Sequence, residues 1–354
     1  MSAGLEGTLQ QLVAGEPARR HPAVLGGFCV LRRNLRERFP DQLGRSEREL
    51  LRARLFAALA ELEPCRDARF LDAEALSATE ADCLAELRLL PRRAQGNGDR
   101  RGLVLLADPR LSVRVGDGDH LLLQSRREGW QPEALWAELD SLDTALEERL
   151  ELAFSEEFGY LTASPERAGT GLECRALLHL PVLALQRELP RLLRGLAALH
   201  CDTRLRGDGE GPGTLLELRN GRTLGESESE LLDGVGELVL KLGEFEARAR
   251  DRMISEARSL LEDRVWTAYG RLRYGRRLSA ESAGELLGAL RLGCLAGIIP
   301  GIDYQTVQGV WAAVGDGVLQ LSAGESLGRE AREERRAAWL RGWLIDREQA
   351  ERKG

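Results

Sequence analysis

Phe158-Gly159-Tyr160-Leu161-Thr162-Ala163-Ser164-Pro165, Gly169-Thr170-Gly171-Leu172 and Leu178-His179-Leu180-Pro181 form the most informative stretch of this 354-residue chain. Immediately before it, residues 135–154 have helical spacing, and further upstream three apolar runs (103–107, 111–115 and 120–124) are separated by Asp108-Pro109 and Gly116-Asp117-Gly118-Asp119. Short apolar runs punctuated by such turn residues predict an antiparallel meander. After the stretch, residues 215–224 predict a hairpin turning at Asn220-Gly221. Toward the N-terminus, Leu50, Leu51, Leu55, Phe56, Leu59 and Leu62 predict an amphipathic helix over 46–63, capped by Ser46 and ended by Pro64, while 91–101 reads as a polar connection. Beyond residue 226 the strand signals stop. Residues 227–263, 283–292 and 328–352 read as helices, the last carrying Trp339, Leu340, Trp343 and Leu344 on one side. Strands and helices joined by hairpins predict an α+β class, succeeded by a helical C-terminal region.

Composition narrows the possibilities. With 43% hydrophobic and 30% charged residues the chain is globular rather than disordered. A net charge of −7 argues against a bulk electrostatic surface for nucleic acid or anionic membrane, so any anion site must be local. No uncharged apolar run reaches membrane-spanning length and no signal-peptide pattern opens the sequence, which predicts a soluble, cytoplasmic protein. Cys29, Cys65, Cys83, Cys174, Cys201 and Cys294 are widely spaced, with no C-x-x-C and no Cys/His cluster; reduced thiols and no metal site are expected. A phosphate loop of the G-x-x-x-x-G-K-[ST] type is absent. The Gly-rich segment 207–213 carries acid where a phosphate cradle wants base.

The opening stretch resembles the F-G-Y-L-T-[AS]-C-P and G-T-G-L-R-A-S-V-M-L-H-L-P block of the bacterial protein-arginine kinases (McsB type), relatives of the phosphagen kinases. Matching pieces occur in the same order elsewhere: Arg33-Asn34-Leu35, Asp119-His120-Leu121, Asn220 with Thr223-Leu224-Gly225, Leu261-Glu262-Asp263-Arg264-Val265, and Arg291-Leu292-Gly293. The resemblance implies an ATP:guanido-phosphotransferase fold at 20–247, an antiparallel sheet flanked by helices, and a helical regulatory domain at 248–354. Its chemistry moves the γ-phosphoryl of ATP to an arginine guanidinium. That requires arginines around the phosphates, magnesium, and carboxylates to orient the nucleophile.

Set against the family's motifs, this sequence keeps scaffold residues and loses functional ones. The motif S-S-R-x-R-L-A-R-N-L falls on residues 26–35, so two phosphate arginines become Phe28 and Val30. The motif N-E-E-D-H-L-R falls on 116–122, so the catalytic glutamate becomes Gly118 and a further arginine becomes Leu122. In the long block the cysteine becomes Ser164 and the arginine of L-R-A-S becomes Glu173, a charge reversal. Arg204 and Arg206 survive from the last nucleotide loop, and Glu210 can match a guanidinium-binding carboxylate. Losing several charge-assisted bonds at about 1.5–3 kcal/mol each would weaken phosphate binding by orders of magnitude. No cofactor is therefore expected, and apolar packing is expected at Phe28, Val30 and Leu122.

A second constellation keeps its chemistry. The family's C-terminal motif R-D-x-x-R-A, which recognises phosphoarginine, falls on Arg332-Glu333-Glu334-Arg335-Arg336-Ala337, with Glu333 in place of aspartate. Arg332 and Arg336 are four apart on one helix face, so both guanidiniums can meet one phosphate, although a solvated charged helix produces the same pattern. The resemblance thus implies a catalytically inactive pseudokinase serving protein quality control, as a homodimer or heterodimer. Its implied partners are an active kinase paralogue, an activator protein, Clp protease components and arginine-phosphorylated proteins. The alternative is an active kinase with a remodelled site using ATP and magnesium. A third reading is an unrelated ligand in a cleft relined with apolar residues.

Overall fold

The computed structural model describes residues 21–91 and 101–351. Among the described residues there are ten strands: β1 Val24–Arg33, β2 Arg69–Asp72, β3 Gly102–Leu105, β4 Leu111–Asp117, β5 Asp119–Glu128, β6 Phe154–Ser155, β7 Gly159–Tyr160, β8 Leu172–His179, β9 Cys201–Arg206 and β10 Leu215–Asn220. Eight of them form one antiparallel sheet in the order β2-β3-β4-β5-β1-β8-β10-β9, and β6 pairs with β7. The meander expected from sequence is β3-β4-β5. β1 is the middle of the sheet, and its burial on both faces removes the alternation that would have announced it.

The helices are α1 Arg45–Ala60, α2 Ala78–Glu86, α3 Pro132–Glu147, α4 Pro181–Leu185, α5 Leu189–Ala198, α6 Glu228–Glu256, α7 Arg258–Tyr274, α8 Ala280–Leu295, α9 Tyr304–Ala313, α10 Asp316–Ala323 and α11 Arg329–Glu351. One face of the sheet is covered by α3 and α6, with Leu135, Leu139, Leu142, Val235 and Val239 buried. The other face is a cleft, edged by α2, α9 and α10.

Several expected boundaries move. The cap of α1 is Gly44, whose N–H donates to Glu47 Oε2 at 2.7 Å, rather than Ser46, which lies inside the first turn. The helix predicted over 135–154 ends at Glu147, and Phe154 opens a short strand against Tyr160. Asn220-Gly221 is not a hairpin turn. The buried Asn220 side chain accepts from Cys174 N–H and donates to the Leu172 and Arg222 carbonyls, so β10 ends there and pairs instead with β9. Of the polar connection at 91–101, residues 92–100 lie outside the described residues, as does Arg352 at the end of the last predicted helix.

The line between 247 and 248 falls within α6, which runs unbroken through it. Side chains also join the sheet and its loops, before α6, to the helices after it. Arg291, fully buried on α8, donates to His179 Nδ1 at 2.9 Å and to the Pro22 carbonyl at 2.6 Å. His179 Nε2 in turn meets the Pro212 carbonyl at 2.6 Å, and burial holds this imidazole well below its ordinary pKa, hence neutral. Glu86, at the end of α2, accepts the N–H groups of Gly317 and Val318 at 2.8 and 3.1 Å and so caps α10. One continuous hydrophobic core contains residues from both halves of the chain.

Candidate functional site

Strand register places most of the singled-out residues on one face. Phe28 faces Arg126 of β5 and Arg175 of β8; Val30 faces Gln124 and Glu173; Arg32 faces Leu122. On β10 and β9 the same face continues with Glu217 opposite Arg204, and Leu215 opposite Arg206. This shared face divides into two ends of different character.

At the end nearer Asp119, the scaffold residues form one network. Asn34 donates to Asp119 Oδ1 at 2.7 Å and to the Leu161 carbonyl at 2.9 Å, while its Oδ1 accepts from His120 N–H at 2.8 Å; Asp119 Oδ1 also accepts from Ala163 N–H. Arg33 lies 3.4 Å from the Tyr160 ring centroid and donates through Nε to Asp143 at 2.9 Å, and to the Thr170 carbonyl. Gly169 needs its glycine: with φ at 100°, a Cβ there would lie 2.3 Å from the Thr223 carbonyl oxygen. The opening stretch therefore serves as a brace between the ends of β1, β5 and β8.

Over that brace sits Glu173, with no exposed surface, ion-paired with Arg175, with Arg32 and Arg219 at 3.4 Å each, and with Arg167 at 3.5 Å. Burial alone would raise its pKa. Four guanidiniums overcome that and hold the carboxyl down at about 2. Val30 and Leu122 are buried beside it, as expected of apolar packing. Gly118 occupies the tight β4–β5 turn with φ at 81°, and a Cβ there would meet open space. The arrangement is a buried carboxylate enclosed by four guanidiniums.

The other end is an open cleft of about 1300 Å³ lined by Phe28, Arg88, Arg126, Arg175, Arg204, Arg206, Glu217 and Trp311 among others. Glu217 ion-pairs with Arg88 at 3.0 Å and Arg206 at 3.3 Å. Its pKa is lowered by these guanidiniums against the opposing effect of burial. Phe28 is buried, but not as simple filling: Arg88 and Arg126 lie 5.0 and 5.7 Å from its ring centroid. The lining is thus arginine-rich rather than apolar, which corrects the expectation of a hydrophobic relining. Of the residues matched to the last nucleotide loop, Arg204 and Arg206 reach this cleft. Glu210 does not; it is exposed on the 207–213 loop, where Arg187 pairs with it at 3.0 Å and Asp208 accepts the N–H groups of Glu210 and Gly211.

In the C-terminal helices, Arg332 and Arg336 do converge, and they converge on Asp316. Arg336 is buried, pairs with Asp316, and donates to the carbonyls of Val314 at 2.7 Å and Leu278 at 2.9 Å; Arg332 lies 3.4 Å from Asp316 and bonds the Leu327 carbonyl. Glu333 turns the other way, to Arg277 and Arg329 at 3.0 Å each. Sequence reasoning missed Arg88, Arg126, Arg167, Arg219, Glu217 and Asp316. The arginines at 126 and 127, ending the third apolar run, were a visible signal; the pairing of Asp316 with α11 was not. Among the described residues no group of three His, Cys, Asp or Glu is placed to hold a metal ion.

Comparison with known proteins accords with this geometry. Residues 48–249 match the ATP:guanido phosphotransferase C-terminal catalytic domain, and residues 258–353 match the protein-arginine kinase McsB C-terminal domain. The protein-arginine kinase of Symbiobacterium thermophilum is 33% identical over 328 residues, covering 91% of this chain and 93% of that protein. The chain belongs to the protein-arginine kinase family. The protein of the same description from Moorella thermoacetica is 35% identical over 81% of each chain. Among solved structures, lombricine kinase shares the fold with a TM-score of 0.54 at 20% identity, over 68% of this chain and 71% of that one. The duplicated taurocyamine kinase from Schistosoma mansoni, with bound transition state analog components, gives 0.54 at 20% identity over 65% of this chain and 34% of that one. These likenesses bear out the α+β phosphagen-kinase fold. Members of the family are ATP-dependent kinases. No helix among the described residues is long and apolar enough to cross a membrane.

Proposed function

We propose that this member of the protein-arginine kinase family does not transfer phosphate and acts instead as a binding or regulatory module. The observation that carries the reading is Glu173: a buried carboxylate held by four arginines occupies the position that the resemblance gives to nucleotide phosphates. A phosphate entering there would meet an anion with its pKa near 2, ionised at every physiological pH. Val30 and Leu122 supply no donors, and Gly118 supplies no base. ATP with magnesium does not fit that end of the face as folded, so no catalytic step is derived through it.

In this reading the module works in the cytoplasm in protein quality control, pairing with itself or with an active kinase paralogue, an activator or Clp protease components. Arginine-phosphorylated proteins are its ligands through Arg332 and Arg336. The dianionic phosphoryl group of a phosphoguanidinium there competes with the half-exposed carboxylate of Asp316, while Glu333 must leave Arg277 and Arg329 to meet the guanidinium nitrogens. The test is incubation with labelled ATP, magnesium and an arginine-rich protein, then detection of acid-labile phosphate. No incorporation is expected. Robust turnover would establish the active alternative instead.

A further inference from the structure

We propose that Cys29 and Cys174 form a redox-responsive pair, which hydrogen peroxide converts to a disulfide stapling β1 to β8. The two thiols are free, 145 residues apart in sequence, and their sulfurs lie 3.6 Å apart. They face each other across the middle of the sheet, in the register that sets Phe28 opposite Arg175 and Val30 opposite Glu173. Facing pairs in an antiparallel ladder alternate, and the non-hydrogen-bonded ones bring their Cα atoms to about 4.5 Å with the side chains closer. The Arg32 N–H donates to the Gly171 carbonyl at 3.0 Å, which makes 32 with 171 a hydrogen-bonded pair and 29 with 174, three steps along, a non-hydrogen-bonded one. The Cys174 N–H agrees, since it points away from β1 to Asn220 Oδ1 at 2.7 Å. A Cα separation near 4.5 Å lies within the range a disulfide spans, so the bond needs the sulfurs to close by about 1.5 Å and no change of strand register.

Neither thiol belongs to the resemblance. Cys174 stands at the alanine of L-R-A-S and Cys29 at the unspecified position of S-S-R-x-R, so the pair is a feature of this chain. Phe28 lines the cleft, and strand alternation therefore puts Cys29 on the opposite face, where α3 packs on β1, α6 packs on β8 and both cysteines have no exposed surface. Cys201, on β9 and two strands from Cys174, is about 10 Å away and beyond disulfide reach. Burial sets when the reaction occurs. The hydrogen bond with Cys29, burial and nearby Glu173 push the Cys174 thiol well above its ordinary pKa, and a buried thiol is inert where a thiolate would react. Oxidation therefore waits for α3 and α6 to lift from the sheet. In that opened state one sulfur, as thiolate, attacks the O–O bond of hydrogen peroxide, giving a sulfenic acid and hydroxide. The second sulfur attacks the first: the S–S bond forms, the S–O bond breaks, and both hydroxides leave as water with the two thiol protons. Two electrons pass from the sulfurs to the peroxide. The bond then closes a long loop in the unfolded chain, removing entropy there and so favouring the folded sheet.

The experiment treats the full chain with hydrogen peroxide a few degrees below its Tm, where local opening is frequent, then alkylates the remaining thiols and maps the peptides by mass spectrometry. Expected is a peptide pair linked through Cys29 and Cys174, lighter by two hydrogens than its reduced parts. The Tm of the oxidised protein should be higher by about 5 °C, and dithiothreitol should reverse the rise. Cys174→Ala carries the motif's own residue and so keeps the fold; it should show neither the linkage nor the rise, whereas Cys201→Ser should show both. Cys29 and Cys174 still open to alkylation once Cys201 has been oxidised, a disulfide through any other cysteine in place of this one, or a linked protein whose Tm has not risen overturns the proposal. None of these outcomes depends on whether the protein transfers phosphate.

Discussion

Two arginine clusters in this molecule each enclose a carboxylate supplied by the chain, and they enclose it to different degrees. Glu173 has no exposed side-chain surface and four guanidiniums around it, whereas Asp316 is 42% exposed and shared by two. The first is locked, because releasing the carboxylate would leave four cations facing one another in a dry space. The second is displaceable, because water already reaches one side of it. The same pairing of a carboxylate with arginines is therefore closed to a competing anion at one place and open to it at the other.

The largest test of this difference is Glu173→Gln. Removing one partner of a buried charge network leaves the rest uncompensated, which costs about 3–5 kcal/mol. A fall in Tm on the order of 10 °C is expected by calorimetry. A loss below about 1 kcal/mol, typical of surface pairs, would mean that the enclosure is looser than its distances indicate.

Acid sharpens the same point. The folded pKa of Glu173 is depressed to about 2, while a glutamate in the unfolded chain titrates near 4.3. The unfolded state therefore binds the proton first as pH falls. The stabilisation is fully present above about pH 5 and is lost as pH falls through 4.3 toward 2, by about 3 kcal/mol. Denaturant unfolding of the native protein and of Glu173→Gln across that range should show the difference shrinking; a constant difference would assign the effect to packing. Glu246 has the opposite sign. Buried under α4 with the N–H groups of Val182 and Leu183, it is raised by burial to about 7, so its contribution is present at low pH and fades as pH rises from about 4.3 through 7.

At the displaceable site, Asp316→Ala removes the internal competitor. A stability loss of about 1–2 kcal/mol is expected, because the buried Arg336 loses one of three partners. Phosphoarginine should bind about tenfold more tightly to Asp316→Ala than to the native protein, a gain of about 1.4 kcal/mol, and not at all to Arg332→Ala/Arg336→Ala. Equal affinity in native and Asp316→Ala proteins would break the comparison between the two clusters.

The sequence made the scaffold readable where residues act on the backbone around them. Asn34, Asp119, Gly169 and Thr223 each bond or contact a main-chain group, and such requirements leave a fixed local pattern. The meander showed itself through its turns, but β1 and β8 did not, since burial on both faces erases the alternation that marks a strand. The losses at Phe28, Val30, Gly118, Leu122 and Glu173 were legible as substitutions; their consequences were not. That Glu173 is caged by Arg167 and Arg219, and that Arg126 and Arg88 flank Phe28, depends on register between strands far apart in sequence. The same holds for Asp316, whose meeting with Arg336 is set by the packing of α10 against α11.

The smallest expected effect is at Gly118, and it separates loss of one residue from loss of a site. Its Cβ would meet nothing within 4 Å, so Glu fits the space, and the cost is the positive φ of 81°, about 1 kcal/mol for a residue other than glycine. Gly118→Glu restores a carboxylate at the position matched to the family's catalytic glutamate. If that glutamate were the missing part, acid-labile phosphate would accumulate on an arginine-rich protein with labelled ATP. None is expected, because a guanidinium oriented by that carboxylate has no bound γ-phosphoryl to attack, and Glu173 still places a buried anion among four guanidiniums. Turnover in Gly118→Glu alone would show that the enclosed carboxylate yields to nucleotide after all, and the distinction between a locked and a displaceable cluster would fail at its stronger end.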